Sequence, residues 1–371
     1  MPMKITNVET IYIKEKKIEK RTDGSQDALL VKITTDSGII GWGEVDSCPV
    51  VAEAIINAPY SHKLVDGLKN IIMGENPLDI EGLWNKMYQK TIYYGRNGAV
   101  IHAMAGIDIA LWDIKGKFLN LPIYELMGGC FVDKMRVYSS NMFQFNIEDT
   151  LERVQVAIDT GHTAVKFGWE PFGYDEALDL KYVEEIRKKL GNNLDFMLDV
   201  GLIWDAKTTV KRAKAYEPYN LFWIEEPLHP DNYHGYGIVS DKCIQHIAAG
   251  EEECSITGFK NLIDFGNIDI VQIDVTRTGL TQAKKIAEYA NLLGKKVCNH
   301  NFTTDINTAA SLHFLCSIPN SLVMEYCQEK GEISRKLCSN PVKIKDGFAH
   351  LPTEPGLGVI PSNEIIEKYR A

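Results

Sequence analysis

The sequence predicts an α/β barrel, TIM-like and either a modified (β/α)8 or a (β/α)7β, preceded by an N-terminal α+β capping domain. Three observations lead there. From about residue 135 onward, short apolar runs alternate with helical patterns. Seven of these runs close on a polar residue, Lys166, Asp199, Glu225, Glu251, Asp274, His300 and Glu325, which by their numbers stand 23 to 33 residues apart. One strand-helix unit of such a barrel takes roughly 25–30 residues, so the spacing matches successive barrel strands. The part before residue 130 instead places strands first and helices after them. The expected organisation is a cap over 1–130, a barrel over 131–340, and a tail, 341–371, that folds back on the cap.

In the cap, 3–13 alternates as a strand, 28–35 is a second and 38–45 a third, with Asp36-Ser37-Gly38 as hairpin turn chemistry. Amphipathic helices are expected over 52–72 and 78–90, and the most apolar helix of the chain over 99–119. Pro122 and Gly128-Gly129 end that helical region, and a strand at 135–139 opens the barrel. Strands then follow at 163–167, 196–199, 221–224, 247–249, 268–274, 296–298 and 322–326. Strong helices lie between several of them, at 179–190, 208–216, 280–293 and 305–317. The glycines and prolines after Pro341 mark a loop-rich tail.

Composition narrows the functional classes. The chain of 371 residues is 45% hydrophobic and carries a net charge of -10, which argues against a nucleic-acid partner. No apolar run approaches the ~20 residues that span a bilayer, so no membrane partner is expected. Eight scattered cysteines without a C-x-x-C pair fit free thiols in a reducing compartment, and the opening residues read directly as a strand. The expected location is the cytoplasm.

Barrels of this kind carry their active sites at the C-terminal ends of the strands. Asp199, Glu225 and Glu251 end three consecutive units and would meet there. Three converging carboxylates repel one another unless a cation is bound, and an all-oxygen set suits Mg2+ rather than zinc. Asp274 and His300 end adjacent strands, where a carboxylate would fix the imidazole tautomer and raise its basicity. Lys166 ends a strand before the ligands, and burial would lower its pKa into the range of a base.

With these residues in place the chain resembles the enolase superfamily, in its mandelate racemase subgroup. Gly41-Trp42-Gly43-Glu44, the helix segment from Gly106 to Lys117, Trp223-Ile224-Glu225-Glu226-Pro227 and Ala249-Gly250-Glu251 carry the likeness, with Leu198-Asp199 before the last two. One departure stands out. The family's Lys-x-Lys is here a single lysine in Val165-Lys166-Phe167-Gly168-Trp169, and both possible registers point Lys166 inward.

Trp169-Glu170-Pro171 and the segment after Glu226 are more similar to the subgroup's acid-sugar dehydratases than to its racemases. The resemblance implies a Mg2+-dependent dehydratase of an aldonate or aldarate, passing through an enediolate to a 2-keto-3-deoxy acid. It implies Lys166 as base, the His300-Asp274 dyad as acid, and Glu325 at the developing oxyanion. Tyr94 and Arg96, beside Tyr93, and Arg277 are candidates for substrate contacts, and the charged segment 14–26 for a lid over the cleft. The alternative is a racemase or epimerase of a 2-hydroxy or sugar acid that uses the same site. The expected partners are a small sugar acid and further copies of the chain.

Overall fold

The computed structural model describes residues 2–329 and 331–371. The cap begins with an antiparallel sheet of β1 (Ile5–Lys14), β2 (Asp27–Thr35) and β3 (Ile40–Val45). Helices α1 (Pro49–Asn57), α2 (Leu68–Ile72), α3 (Ile80–Thr91) and α4 (Ala99–Leu119) follow. The single helix expected over 52–72 is two. Pro59 holds Ala58 in extended backbone (φ -54, ψ 139), and the chain loops before α2 begins.

The apolar α4 lies against the sheet, and this contact explains a motif. A Cβ on Gly43 would overlap the Gly106 carbonyl of α4, so glycine there lets strand and helix touch. Trp42 N donates to Asp113 Oδ2 on the same helix at 2.9 Å. Glu44 reaches the barrel, accepting from Thr304 Oγ1 at 2.6 Å and Asn307 N at 3.0 Å. Gly41-Trp42-Gly43-Glu44 therefore joins the cap to the barrel.

After the short α5 (Ile123–Leu126) the barrel opens with β4 (Lys134–Met142) and α6 (Ile147–Asp159). It continues through β5 (Ala164–Gly168), α7 (Glu176–Leu190), β6 (Asp195–Asp199), α8 (Ala206–Tyr216), β7 (Trp223–Glu225), α9 (Tyr233–Lys242) and β8 (His246–Ala249). It ends with α10 (Ile256–Asp264), β9 (Ile270–Ile273), the one-turn α11 (Val275–Thr278), α12 (Leu280–Leu292), β10 (Lys296–Asn299), α13 (Asp305–Cys316) and β11 (Met324–Cys327). Neighbouring strands pair in parallel from β4 to β10. β11 closes the ring, pairing in parallel with β4, while Ser321, three residues before it, bridges Val297 of β10. Because β11 is followed by the five-residue α14 (Glu332–Lys336) rather than a full helix, the barrel is of the (β/α)7β kind.

Many helix starts carry a side-chain cap: Asn146, Asp175, Asp205, Ser255 and Thr304 each accept from a backbone N–H of the first turn. Inside the barrel a layer of buried side chains, Tyr138, Met197 and Trp223 among them, fills the space beneath the strand ends. The tail runs over both units. β12 (Ile344–Lys345) and β13 (Phe348–His350) form a hairpin antiparallel to β4. Farther on, Leu357 N donates to Asp113 of α4, and α15 (Asn363–Tyr369) leads to Ala371, whose N–H donates to Tyr12 O of β1. All eight cysteines are unpaired, and no helix among the described residues is long and apolar enough to cross a membrane.

Candidate active site

Each strand delivers its polar residue where the backbone turns away. Asp199 and Glu225 are the last residues of β6 and β7, paired in register across the sheet. Glu251 lies two residues beyond β8, after Gly250, whose φ of 131° carries the chain around a corner closed to other residues. Asp274 caps α11, and His300 follows β10 directly.

Carboxylate oxygens of Asp199, Glu225 and Glu251 lie within 4.8 Å of one another, and all three side chains are buried. Burial pushes Asp199 up to about 7, with Lys166 opposing and Glu251 adding to the rise. Burial likewise pushes Glu225 well above the usual carboxylate range. Three buried carboxylates at this distance are costly to keep charged without a counter-cation, and their oxygens are the donors that a hard divalent ion takes. The residues therefore fit a magnesium-type ion.

Beside them, His300 Nδ1 meets Asp274 Oδ2 at 2.6 Å, while its Nε2 faces the cleft 3.7 Å from Glu251 Oε2. The other Asp274 oxygen accepts from Thr276 N at 2.7 Å, so the carboxylate is fixed from two sides. Although burial opposes both charges, the pair and its neighbours hold Asp274 down at about 2 and His300 up at about 10. An aspartate that stays ionised there holds the ring through Nδ1 and leaves Nε2 presented to a substrate.

Lys166 departs from its expected state. Its Nζ is paired with Glu225 Oε1 and lies 2.8 Å from Glu325 Oε1. Burial works to lower its pKa, but Glu225, Glu325 and Asp199 outweigh it and hold the ammonium well above its ordinary value. The expectation of a lowered pKa is thus reversed, because carboxylates rather than apolar groups surround it. Glu325 also accepts from Ser140 Oγ at 2.7 Å and from Asn301 N at 2.6 Å.

A cleft of about 310 Å³ opens onto Lys166, Asp199, Glu251 and His300. Arg277 lines it as well, but its Nε donates to Asp46 Oδ2 at 3.0 Å and its Nη1 to Glu251 O at 2.7 Å. Tyr94 and Arg96, the other two candidates, are not among the residues that line the cleft. The Tyr94 hydroxyl donates to Asp66 O within the cap, and Arg96 is exposed to solvent. Asp46, which sequence reasoning passed over, enters from the end of β3, and its place two residues after the Gly-Trp-Gly-Glu motif was the available signal. From the segment 14–26, Thr22, Asp23 and Gly24 line the cleft. Arg21 anchors that segment through Asp23 at 2.6 Å and Glu329 at 3.1 Å, and Glu329 is held in turn by Arg153.

Residues 149–365 match the family described as enolase C-terminal domain-like, and 4–128 match the mandelate racemase / muconate lactonizing enzyme N-terminal domain. The chain belongs to the enolase superfamily. Within it, the second match assigns the mandelate racemase subgroup. Among its relatives is a D-xylonate dehydratase from Haloferax volcanii, 29% identical over 98% of this chain and 88% of the relative. A D-gluconate/D-galactonate dehydratase from Picrophilus torridus is 28% identical over 94% and 90%. The crystal structure of the 3,6-anhydro-D-galactonate cycloisomerase from Zobellia galactanivorans superposes with a TM-score of 0.91 at 30% identity, covering 99% of both chains.

Proposed function

We propose that this protein is a Mg2+-dependent hydro-lyase that dehydrates a sugar acid to its 2-keto-3-deoxy acid. The observation that carries the reading is the juxtaposition, in one cleft, of the three-carboxylate cluster and the Asp274-backed His300. The dehydratase names of two full-length relatives support it.

Asp199, Glu225 and Glu251 would hold the cation, which when bound draws electron density from the substrate's carboxylate and acidifies the adjacent C–H. Lys166, its ammonium already balanced between Glu225 and Glu325, serves to anchor the substrate carboxylate. Glu251 is the strongest of the influences that raise His300, and with its charge taken up by the cation the imidazole would be neutral. His300 Nε2 then takes the C2 proton, Asp274 steadies the resulting imidazolium, and that imidazolium returns the proton to the departing 3-hydroxyl, which leaves as water. The enol then tautomerises to the 2-keto acid. This moves the role of base from Lys166 to the dyad.

Gly168 favours dehydration over the racemase or epimerase alternative. It sits two residues after Lys166 on the same face, where the family's second lysine would stand, so the Lys166 side of the substrate has no free amine from this motif. The test is a panel of aldonates and aldarates incubated with enzyme and Mg2+ in D2O, following keto acid as its semicarbazone. Keto acid formation that His300→Asn abolishes supports the reading; recovery of an inverted, deuterated acid without keto acid would refute it.

A further inference from the structure

Of the cations around the cleft, Lys166, between Glu225 and Glu325, is left to the carboxylate beside the reacting carbon, and the others are committed to protein partners: His300 is held by Asp274. Arg277, a candidate from the sequence for a substrate contact, is bound to Asp46 and to the Glu251 carbonyl, with Glu252 at 3.6 Å. The lid side of the cleft is made by Thr22, Asp23 and Gly24 and carries no cation among the described residues. Arg21, adjacent in sequence, is spent on Asp23 and Glu329.

Asp46 is placed differently. Arg277 occupies its Oδ2, while its Oδ1 has no hydrogen-bond partner among the described residues, and the side chain lines the cleft. An Asp46 oxygen lies within 4.8 Å of ligand atoms of both Asp274 and His300. A carboxylate that is ion-paired on one oxygen and open on the other accepts a hydroxyl hydrogen bond and repels a second anion.

We propose that the cleft selects acids with one carboxylate, aldonates over aldarates, and that Asp46 is the specificity residue, accepting a substrate hydroxyl beside His300 and disfavouring a carboxylate. The inference rests on the sugar-acid reading for its substrate family. A site built to bond a hydroxyl discriminates strongly against groups that cannot donate to it.

The test uses matched pairs that differ only in whether the terminal carbon is an alcohol or a carboxylate, assayed with the full-length protein and Mg2+. The expected preference in kcat/KM for the aldonate is about 100-fold. In Asp46→Asn, aldonate kcat/KM should fall about 10- to 100-fold, chiefly through KM, and the gap to the aldarate should narrow. Thr22→Lys, on an exposed lid position, supplies a cation at the lid side and should raise aldarate turnover relative to aldonate about 10-fold, independently of whether the Asp46 variant folds. Equal or better wild-type turnover of aldarates would overturn the proposal, as would an unchanged ratio in both variants. If neither class is turned over, the dehydratase reading fails by itself. The selectivity is then read from thermal shift with Mg2+: stabilisation by the aldonate alone upholds it, and stabilisation by the aldarate, or by neither, ends it.

Discussion

Gly168 leaves the space that Asp199 fills. The two are register partners across β5 and β6, and a Cβ on Gly168 would lie 2.7 Å from both the Cβ and Oδ2 of Asp199. The barrel interior is close-packed, so even a methyl group must displace the carboxylate. Gly168→Ala should therefore remain folded but bind Mg2+ at least about 10-fold more weakly, with turnover falling in step. Mg2+ titration calorimetry of the variant within twofold of wild type would contradict this placement.

Lys166 and His300 separate by kinetics. If Lys166 anchors the carboxylate, Lys166→Arg keeps the charge in altered geometry and should raise KM about 10- to 100-fold with a smaller change in kcat. His300→Asn should instead remove kcat by about 10³-fold or more, since it deletes the group that moves the proton. A Lys166→Arg enzyme with normal KM and negligible kcat would return the role of base to the lysine.

Glu329 ties the lid to the barrel. Its carboxylate, 1% exposed, joins Arg21 of the segment before β2 to Arg153 of α6 and accepts from Met142 N at 3.3 Å. Glu329→Gln removes the charge that balances two guanidinium groups and should loosen the segment. Trypsin should then cut at Lys16, Lys17 or Lys20 several-fold faster than in wild type, and substrate KM should rise. Identical digestion rates would show that the lid is held some other way.

His313, fully buried in α13, stitches three parts of the chain. Tyr124 N of α5 can only donate, so His313 Nδ1 accepts at 3.3 Å and Nε2–H must donate to Leu357 O at 3.0 Å in the tail. Burial lowers its pKa from 6.5 to about 4. Since the folded value lies below the unfolded one, the neutral ring contributes stability above pH 6.5, and the contribution is lost as pH falls toward 4. The loss amounts to about 3 kcal/mol at most. Thermal melts between pH 7.5 and 4.5 should decline more steeply for wild type than for His313→Gln; parallel curves would exclude the effect.

Much of this was legible because the signals were periodic or chemical. The strand-end series from Lys166 to Glu325 prescribed the barrel, and the carboxylates at three consecutive strand ends prescribed a cation site. The single helix expected over 52–72 broke because a proline outweighed apolar spacing, which is a local signal that periodicity overrode. The places of Tyr94, Arg96 and Asp46 have another cause. Which cap residue reaches the cleft depends on how the two domains dock, through Glu44, Asp113 and the tail, and such docking leaves no short-range pattern. The charge state of Lys166 was likewise beyond reach, since it is set by Glu225 and Glu325, far along the chain.

The stitching of first strand to last has a kinetic side. Ser140 of β4 bonds Glu325 of β11 across 185 positions of sequence, and Arg21 reaches Glu329 across 308. Contacts of such range form late and slowly, because the intervening chain must be ordered first. During synthesis the would-be cation ligands emerge well before β11 can close the ring around them. A nascent chain halted before β11 carries all three carboxylates but neither Glu325 to balance Lys166 nor Glu329 to fasten the lid. Catalytic competence in this protein thus arrives as one of the last events of its folding.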